Sequence, residues 1–415
     1  MTSRTDDTRR ATGSPPLWAA TGADVQSRPA PVAREARANR WHVLLFSAAL
    51  FFSPSARAQL LDPPTFKPPV SVLPGAAEPP AIPTSPDPVR TAQNNAAANE
   101  ITPELDETIA NGLKFLVSEQ GDDGSFGNGR YGKNIAVTAL ACIALMADGN
   151  TPGRGKYGKN VQKGLEFVLS SSTETGLLAA DSTNGPMYGH GFATLFLGEV
   201  YGMTTGGGET PLSTRVHESL IKACTLIQRS QNNEGGWRYN PVPYDADISV
   251  TICQIMALRS ARNAGIEVPK ETIDKAVDYV RKCQNPDGGF RYQESAGVSA
   301  WPRSAAGVAA LFYAGIYKDD AIDRGVKYVA AIASPGASAN TSAHYFYGQY
   351  YSVQTMYLAG GEPWAKWWPA VRSELIAKQQ RDGSWLDPSV GPAYGTSMAL
   401  IILQMPKRFL PIFQK

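Results

Sequence analysis

The chain has 415 residues, of which 43% are hydrophobic and 18% are charged. This is neither a disordered nor a coiled-coil composition, and no apolar run reaches the roughly 18 residues that a membrane-spanning helix needs. The formal net charge is +2, but the first 58 residues hold 8 Lys/Arg and 4 Asp/Glu, so the remainder carries −2 and does not indicate a nucleic-acid-binding protein.

The N-terminal region has the order of zones found in a secretory signal peptide. Basic residues between positions 34 and 40 precede an apolar stretch, 41–52, and a small-residue site that ends at Ala58 follows it. We expect cleavage after Ala58 and export to the periplasm, the cell envelope or the medium. The apolar stretch would span only about 18 Å as a helix, less than a hydrocarbon core of about 30 Å, so a membrane anchor is the weaker interpretation.

A proline-rich segment separates this signal from the folded part of the chain. Residues 59–99 contain ten prolines and one aromatic residue, Phe66. We therefore expect 59–100 to be an extended, disordered linker rather than a domain. Thr102 and Pro103 then have the pattern of a helix start, with Thr as the N-cap, so the folded domain is expected over 101–415.

Four copies of one loop motif, Gln-x-x-x-Gly-x-aromatic, follow in this domain. Their first residues are Gln120, Gln231, Gln284 and Gln379. These glutamines are 111, 53 and 95 residues apart, and because 111 and 95 are close to twice 53, each longer gap is expected to contain a degenerate unit. One such unit lies near Ser172 and the other between positions 325 and 361. The sequence thus predicts six units.

Each unit contains two apolar helices, which predicts six helical hairpins. The first helix is apolar on one side, as at Ile273, Val277 and Val280, whereas the second is rich in small residues, as over 305–310. The small-residue second helices suit a crowded inner layer, and the first helix of each unit then lies outside it. We predict an all-α fold, an α/α toroid in which six hairpins form a double ring; an open solenoid is the alternative. In each loop, Gly should permit a tight turn and Gln should bond backbone groups at helix ends.

These loops resemble those of a known superfamily. Gln-x-x-x-Gly-x-Trp/Phe between paired helices is similar to the repeat of squalene–hopene and oxidosqualene cyclases and of protein prenyltransferase β-subunits, over about residues 102–413. The resemblance implies a toroid with a central cavity for an apolar or isoprenoid-like ligand. It implies the reaction less specifically, since one fold carries several chemistries. The triterpene cyclases use two toroids, whereas this chain has one.

The acid motif of the cyclases has a partial counterpart at the start of an inner helix. In the segment 245–249, Asp247 falls on the family's acid, and Ser249 stands where the prenyltransferases have a zinc-binding Cys. The resemblance therefore implies neither a zinc site nor another cofactor. Asp247 is the candidate proton donor, because an apolar cavity raises the pKa of a carboxyl group, and a second carboxylate nearby, that of Asp245, would raise it further. An Asp in the first turn of a helix equally suits a helix cap.

Histidines and aromatic residues complete the candidate site. His190 and His344 could orient or reprotonate the acid, and aromatic rings could stabilise a cation. The candidate ligand-binding residues are Tyr188, Tyr244, Trp301, Tyr345, Tyr347 and Tyr350. Packing in the degenerate units is the alternative for His190, His344 and the aromatic residues beside them, and a mere change of chain direction is the alternative for the segment 301–303. Arg303, close to Trp301, could place a cation at the mouth, and the tryptophans over 364–368 could contact a membrane surface or pack on a neighbouring unit.

We therefore expect an exported toroid that binds an apolar, isoprenoid-like molecule or a protein partner. If it is an enzyme, the expected reaction is a cyclisation or isomerisation that starts with protonation. Two alternatives stay open: a non-catalytic toroid that binds a protein, peptide or lipid, and a polysaccharide lyase or hydrolase on an α/α ring. Nothing in the sequence indicates the oligomeric state.

Overall fold

The computed structural model describes residues 100–180, 185–204, 210–332 and 344–414. The predicted signal peptide, 1–58, and the predicted linker up to residue 99 lie outside these ranges. The first helix begins as expected, because Oγ1 of Thr102 accepts a hydrogen bond from the Leu105 amide at 3.2 Å. Among the described helices, none combines the length and apolar character needed to cross a bilayer.

The described residues form twelve α-helices that alternate between two layers. In chain order they are α1 (Pro103–Ser118), α2 (Ile135–Met146), α3 (Gly158–Ser170), α4 (Met187–Thr204), α5 (Pro211–Ser230), α6 (Ile248–Asn263), α7 (Lys270–Lys282), α8 (Trp301–Tyr313), α9 (Asp320–Ile332), α10 (Tyr345–Ala359), α11 (Gly361–Lys378) and α12 (Pro392–Leu403). Odd-numbered helices form the outer layer and even-numbered helices the inner one. The six predicted hairpins are therefore confirmed.

The inner helices form a closed ring. Each packs against the next even-numbered helix, α12 packs against α2, and in the outer layer α11 contacts α1. Gln404 donates to the Ala144 carbonyl at 2.9 Å, and Lys407 forms an ion pair with Asp148 at 2.7 Å. These contacts join the last unit to the first, so the toroid is confirmed and the open solenoid is excluded.

The two layers differ in burial as their sequences predict. Eleven residues of α2 are buried, whereas α7 buries one side, which includes Ile273, Val277 and Val280, and exposes its charged residues. Burying one aliphatic side chain of this size stabilises the fold by about 1.5–3 kcal/mol. Most of the driving force for assembly therefore lies in the inner ring.

The repeated loop binds the next outer helix. In all four units with the motif, the Gln side-chain amide donates to its own loop glycine carbonyl and to a carbonyl of that helix, at 2.8–3.0 Å. The loop glycine has φ between +87° and +102°, and a Cβ there would lie 2.1–2.6 Å from a carbonyl oxygen of that helix. The glycine is thus required for close approach as well as for the turn. In the last unit, Gln379 bonds to Thr108 of α1, so this loop also closes the ring.

The tryptophans of α11 pack inside the protein. Trp367 and Trp368 are 4% and 2% exposed, and Trp364 stacks on Trp368 with ring centroids 5.2 Å apart. The indole N–H of Trp368 donates to the Glu100 carbonyl at 3.1 Å. Of the two alternatives for these tryptophans, the structure shows the packing, which is around the start of the domain.

Candidate functional site

A cavity of about 490 Å³ lies inside the ring, where the inner helices begin. On the side of α2 and α4 its wall is mainly apolar and includes Ile135, Ala136 and Phe192. Its charged and imidazole side chains come from the side of α8, α10 and α12. They are Arg303, His344 and Asp387. The cavity therefore has an apolar side and a more polar side.

Asp247 is fully buried and caps α6. Its Oδ1 accepts hydrogen bonds from the amides of Ser249 and Val250, both at 2.9 Å, and its Oδ2 lies 3.8 Å from Nε of Arg238. Burial raises the pKa of Asp247 to about 6, although the two amides, Arg238 and the Tyr292 hydroxyl lower it. Asp247 is thus a helix cap that also holds a proton at mildly acidic pH.

Asp247 lies behind the wall of the cavity rather than in it. Tyr188 and Tyr292 line the cavity, and burial and the charge of Asp247 raise the pKa of both phenols. The hydroxyls of Tyr292 and Tyr239 are hydrogen-bonded to each other. Tyr292 is therefore a cavity-lining hydroxyl beside the buried carboxyl group, and it was not selected from the sequence.

Asp245 does not share this buried position. Its side chain is 40% exposed and forms an ion pair with Arg238, whose guanidinium also lies over the rings of Tyr239 and Tyr292. Asp245 is not among the lining residues. Its connection to Asp247 runs through Arg238, so it orients that guanidinium rather than facing a ligand.

His190 replaces a hydroxyl that other units use to bind their loop. In four units the amide of the loop aromatic residue donates to an inner-helix hydroxyl, which belongs to Thr138, Thr251, Ser304 or Thr396. In the second unit the Leu178 amide donates to Nδ1 of His190 at 3.1 Å, so Nε2 carries the proton and donates to the Ala223 carbonyl at 3.2 Å. Burial lowers the pKa of His190 to about 4. The expected site role of His190 is corrected to a structural one.

His344 does line the cavity, directly before α10. Its φ is +71°, burial lowers its pKa, and the neighbouring Asp387 raises it. Oδ1 of Asp387 accepts from the amides of Ser389 and Val390 at 2.8 and 2.9 Å. The structure thus brings His344 together with Asp387 rather than with Asp247.

Three of the six candidate aromatic residues line the cavity. They are Tyr188, Trp301 and Tyr347. The indole N–H of Trp301 donates to the Ser352 hydroxyl at 2.9 Å, which fixes the ring. Tyr244 is 86% exposed on a loop, Tyr350 is fully buried, and the Tyr345 hydroxyl donates to Glu374 at 2.7 Å. These last three are corrected to positions outside the cavity.

Other lining residues were missed because the loops before the inner helices differ in length. They are Tyr131, Tyr292, Asp387 and Tyr394. A fixed spacing from the loop Gln does not align them between units. In the sequence they carry no signal beyond being polar or aromatic residues near an inner-helix start.

Known proteins share this fold. Residues 210–333 match the family model for the prenyltransferase alpha-alpha toroid domain. The type II terpene cyclase MstE from Scytonema, solved with geranylgeranyl dihydroxybenzoate, is similar with a TM-score of 0.52 and 15% identity, over 74% of this chain and 98% of that chain. The α-1,6-mannanase GH76A from Salegentibacter has a TM-score of 0.56 and 9% identity, over 74% and 99% of the two chains. No curated protein sequence matches significantly.

These similarities concern architecture, because a terpene cyclase and a mannanase share it at low identity. They agree with the twelve alternating helices and with the closed inner ring. The resemblance read from the repeated loops is therefore confirmed for the fold. The chain thus has an α/α toroid fold similar to that of MstE, and its residues 210–333 match the prenyltransferase alpha-alpha toroid domain.

Proposed function

We propose that the central cavity binds an isoprenoid-like, apolar ligand. The supporting observation is the cavity itself, about 490 Å³ within the ring and lined mainly by apolar and aromatic side chains. Small-molecule sites typically have about 300–1,000 Å³ and this kind of lining. Each Å² of apolar surface removed from water contributes about 25 cal/mol, which favours a hydrocarbon chain along Ile135, Ala136 and Phe192. The fold of MstE, which was solved with a geranylgeranyl compound, agrees with this proposal.

We further propose that the chain cyclises or isomerises this ligand by protonation. Asp247 gives its proton to the Tyr292 hydroxyl as that hydroxyl protonates a carbon–carbon double bond, so the carboxyl group is the source of the proton and Tyr292 relays it. The carbocation that forms either loses a proton directly, which shifts the double bond, or is attacked by a second double bond, which closes a ring and leaves a new carbocation that then loses a proton. In both cases the proton returns through Tyr292 to the Asp247 carboxylate, which restores the acid. Tyr188, Trp301 and Tyr347 line the cavity, and an aromatic face stabilises a cation by about 0.5–2 kcal/mol.

Lipids extracted from the purified protein and identified by mass spectrometry test both steps. Asp247→Asn retains an oxygen for the Ser249 and Val250 amides but cannot donate an acidic proton. We expect a cyclised or isomerised ligand from the wild type and its linear precursor from Asp247→Asn. Glu199→Gln is the matched control, because Glu199 is also a buried carboxyl group with a raised pKa but does not line the cavity, and this variant should behave as the wild type.

Other results of the lipid extraction would favour the non-catalytic alternatives. The same ligand in the wild type and in Asp247→Asn would make the chain a non-catalytic lipid carrier. No bound lipid in any sample would refute the ligand proposal and would favour the protein- or peptide-binding alternative. Tyr292→Phe should also accumulate the precursor, because its ring remains while the relaying hydroxyl is lost.

The geometry supports a polysaccharide hydrolase less well. Glycosidases place two carboxyl groups about 5–9.5 Å apart on either side of the bond that they cleave. Among the described lining residues Asp387 is the only carboxylate, and its Oδ1 is held by two loop amides. Release of reducing sugar from α-1,6-mannan, or of unsaturated products that absorb ultraviolet light, would favour this alternative instead.

We also propose that the protein acts outside the cytoplasm, on the basis of the zones around 34–58. N-terminal sequencing of the mature protein from the native cell envelope tests this. The expected first residue is Gln59. An intact N-terminus would contradict the proposal.

A further inference from the structure

One cation in the cavity wall indicates the chemical class of the ligand. Arg303 lies in the first turn of α8, where its Nε donates to the Phe290 carbonyl at 3.0 Å and its Nη2 donates to the Val298 carbonyl. A guanidinium has five N–H groups, so these two neutral acceptors use only part of them. In the described part of the chain, no carboxylate oxygen lies within 4.0 Å of this guanidinium.

The absence of a carboxylate partner distinguishes Arg303 from Arg238, which precedes the inner helix α6. Arg238 pairs with Asp245 and lies 3.8 Å from Asp247, so two carboxylates compensate its charge. The electrostatic neighbours of Arg303 are the phenols of Tyr328 and Tyr292, and burial lowers its pKa. A partly buried charge without a counterion gains free energy when an anion joins it.

The start of α8 adds main-chain donors at the same place. Its N-cap is Ala300, which has no side-chain acceptor for the first-turn amides. Asn134 and Asp247 provide such acceptors for α2 and α6. Trp301 and Arg303 both line the cavity, so the positive end of the α8 dipole adds to the guanidinium charge.

The charge at this end suits an anion with one negative charge. Arg303 is the only Lys or Arg side chain among the described lining residues, and burial favours the neutral form of His344. Asp387 is the one carboxylate among them, and its Oδ1 is already held by the amides of Ser389 and Val390. A diphosphate carries two or more charges and would remain largely uncompensated here. A carboxylate carries one charge and can take two parallel N–H bonds from a guanidinium.

We propose that the ligand is an isoprenoid-like amphiphile with a carboxylate head group that binds to Arg303. The apolar chain then lies along α2 and α4 on the other side of the ring, against Ile135 and Phe192. This inference rests on the proposed apolar ligand and names its head group. It adds a specificity-determining residue on α8 to the residues of the proposed proton transfer.

Isothermal titration calorimetry with farnesoic acid and farnesol tests the inference on the whole protein. The two probes share one isoprenoid chain and differ in carrying a carboxylate or a hydroxyl group. At about pH 7.5 the acid is ionised, and we expect the wild type to bind it at least about tenfold more tightly than the alcohol. Arg303→Gln should abolish this preference and leave the affinity for farnesol unchanged. Arg303→Lys should retain part of it, because the charge remains.

Arg291→Gln is the matched control. The Arg291 guanidinium also donates to main-chain carbonyls, those of Gln293 and Glu294, but Arg291 does not line the cavity. This variant should keep the preference for the acid. Equal affinities of the wild type for both probes, or a preference that survives in a folded Arg303→Gln protein, would overturn the head-group inference alone. Failure of the wild type to bind either probe would overturn it together with the proposed apolar ligand.

Discussion

Replacing Asp247 by Asn tests the charge of the buried helix cap without removing the cap. Asp247 is 0% exposed, and its Oδ1 accepts from two amides, those of Ser249 and Val250, which an Asn oxygen can also satisfy. The substitution removes a group whose ionisation is unfavourable inside the folded protein. The stability of the wild type should therefore depend on pH in a way that the variant does not share.

The size and sign of this effect follow from the pKa of Asp247. Burial raises it from 3.8 to about 6, and a tenfold change in proton affinity is worth about 1.4 kcal/mol, so the total is about 3 kcal/mol. Below pH 3.8 the carboxyl group is protonated in both states, and its contribution to stability is fully present. As pH rises towards about 6 the unfolded chain ionises first, and this contribution is lost.

Urea denaturation of both proteins between about pH 4 and pH 7 measures this difference. The unfolding free energy of the wild type relative to Asp247→Asn should fall by about 2 kcal/mol over that range, because part of the total is already lost at pH 4, just above the unfolded pKa of 3.8. His190 and Glu199 also have shifted pKa values, but both are present in the two proteins and cancel in the difference. A difference that does not change with pH would refute the raised pKa. If the difference instead grows in favour of the wild type as pH rises, the attraction between Arg238 and the Asp247 carboxylate exceeds the cost of burying that carboxylate.

Four other substitutions test the fold. Burial lowers the pKa of His190 from 6.5 to about 4. The contribution of this neutral imidazole to the stability of the fold is therefore complete above pH 6.5 and is lost as pH falls towards 4. In thermal melts, the melting temperature of His190→Asn should fall less on acidification than that of the wild type. Gln379→Ala removes two hydrogen bonds, one of which closes the ring, and should lower the free energy of unfolding by about 2 kcal/mol. An unchanged denaturant midpoint would contradict this prediction. Gly235→Ala places a Cβ 2.1 Å from the Lys275 carbonyl oxygen and should cost more than about 3 kcal/mol. Gly265→Ala, at φ +90° in open space, should cost about 1–2 kcal/mol; equal losses at the two glycines would refute the close-contact argument.

The fold was predictable because its signals are local and repeated. Gln231 and Gly235 each make contacts within one loop and with the next outer helix, and the same contacts recur in four units. Apolar periodicity separated the outer helices from the inner ones, since an outer helix needs one apolar side and an inner helix needs several. Ring closure was harder to predict, because it depends on contacts between units far apart in the sequence, such as Gln379 with Thr108.

The candidate site was predicted only in part because helix rotation decides which side chains reach the cavity. Tyr345, Tyr347 and Tyr350 lie within two turns of α10, yet only Tyr347 lines the wall. Successive residues of a helix point about 100° apart, so small differences in helix orientation exchange lining and packing positions. His190 was misassigned for a related reason: it occupies the position of Thr251 and Ser304 in other units, and a loop amide meets its ring there.

By itself, the sequence determined the number of hairpins, the inner and outer roles of the helices and the glycine turns. Each depends on neighbouring residues or on contacts repeated from unit to unit. The tertiary structure alone decided that Asp247 is sealed behind Tyr188 and Tyr292, and that Arg303 faces an apolar cavity without a carboxylate partner in the described chain. Burial and charge compensation are set by all the groups that surround a side chain. In a closed ring, most of those groups come from distant units.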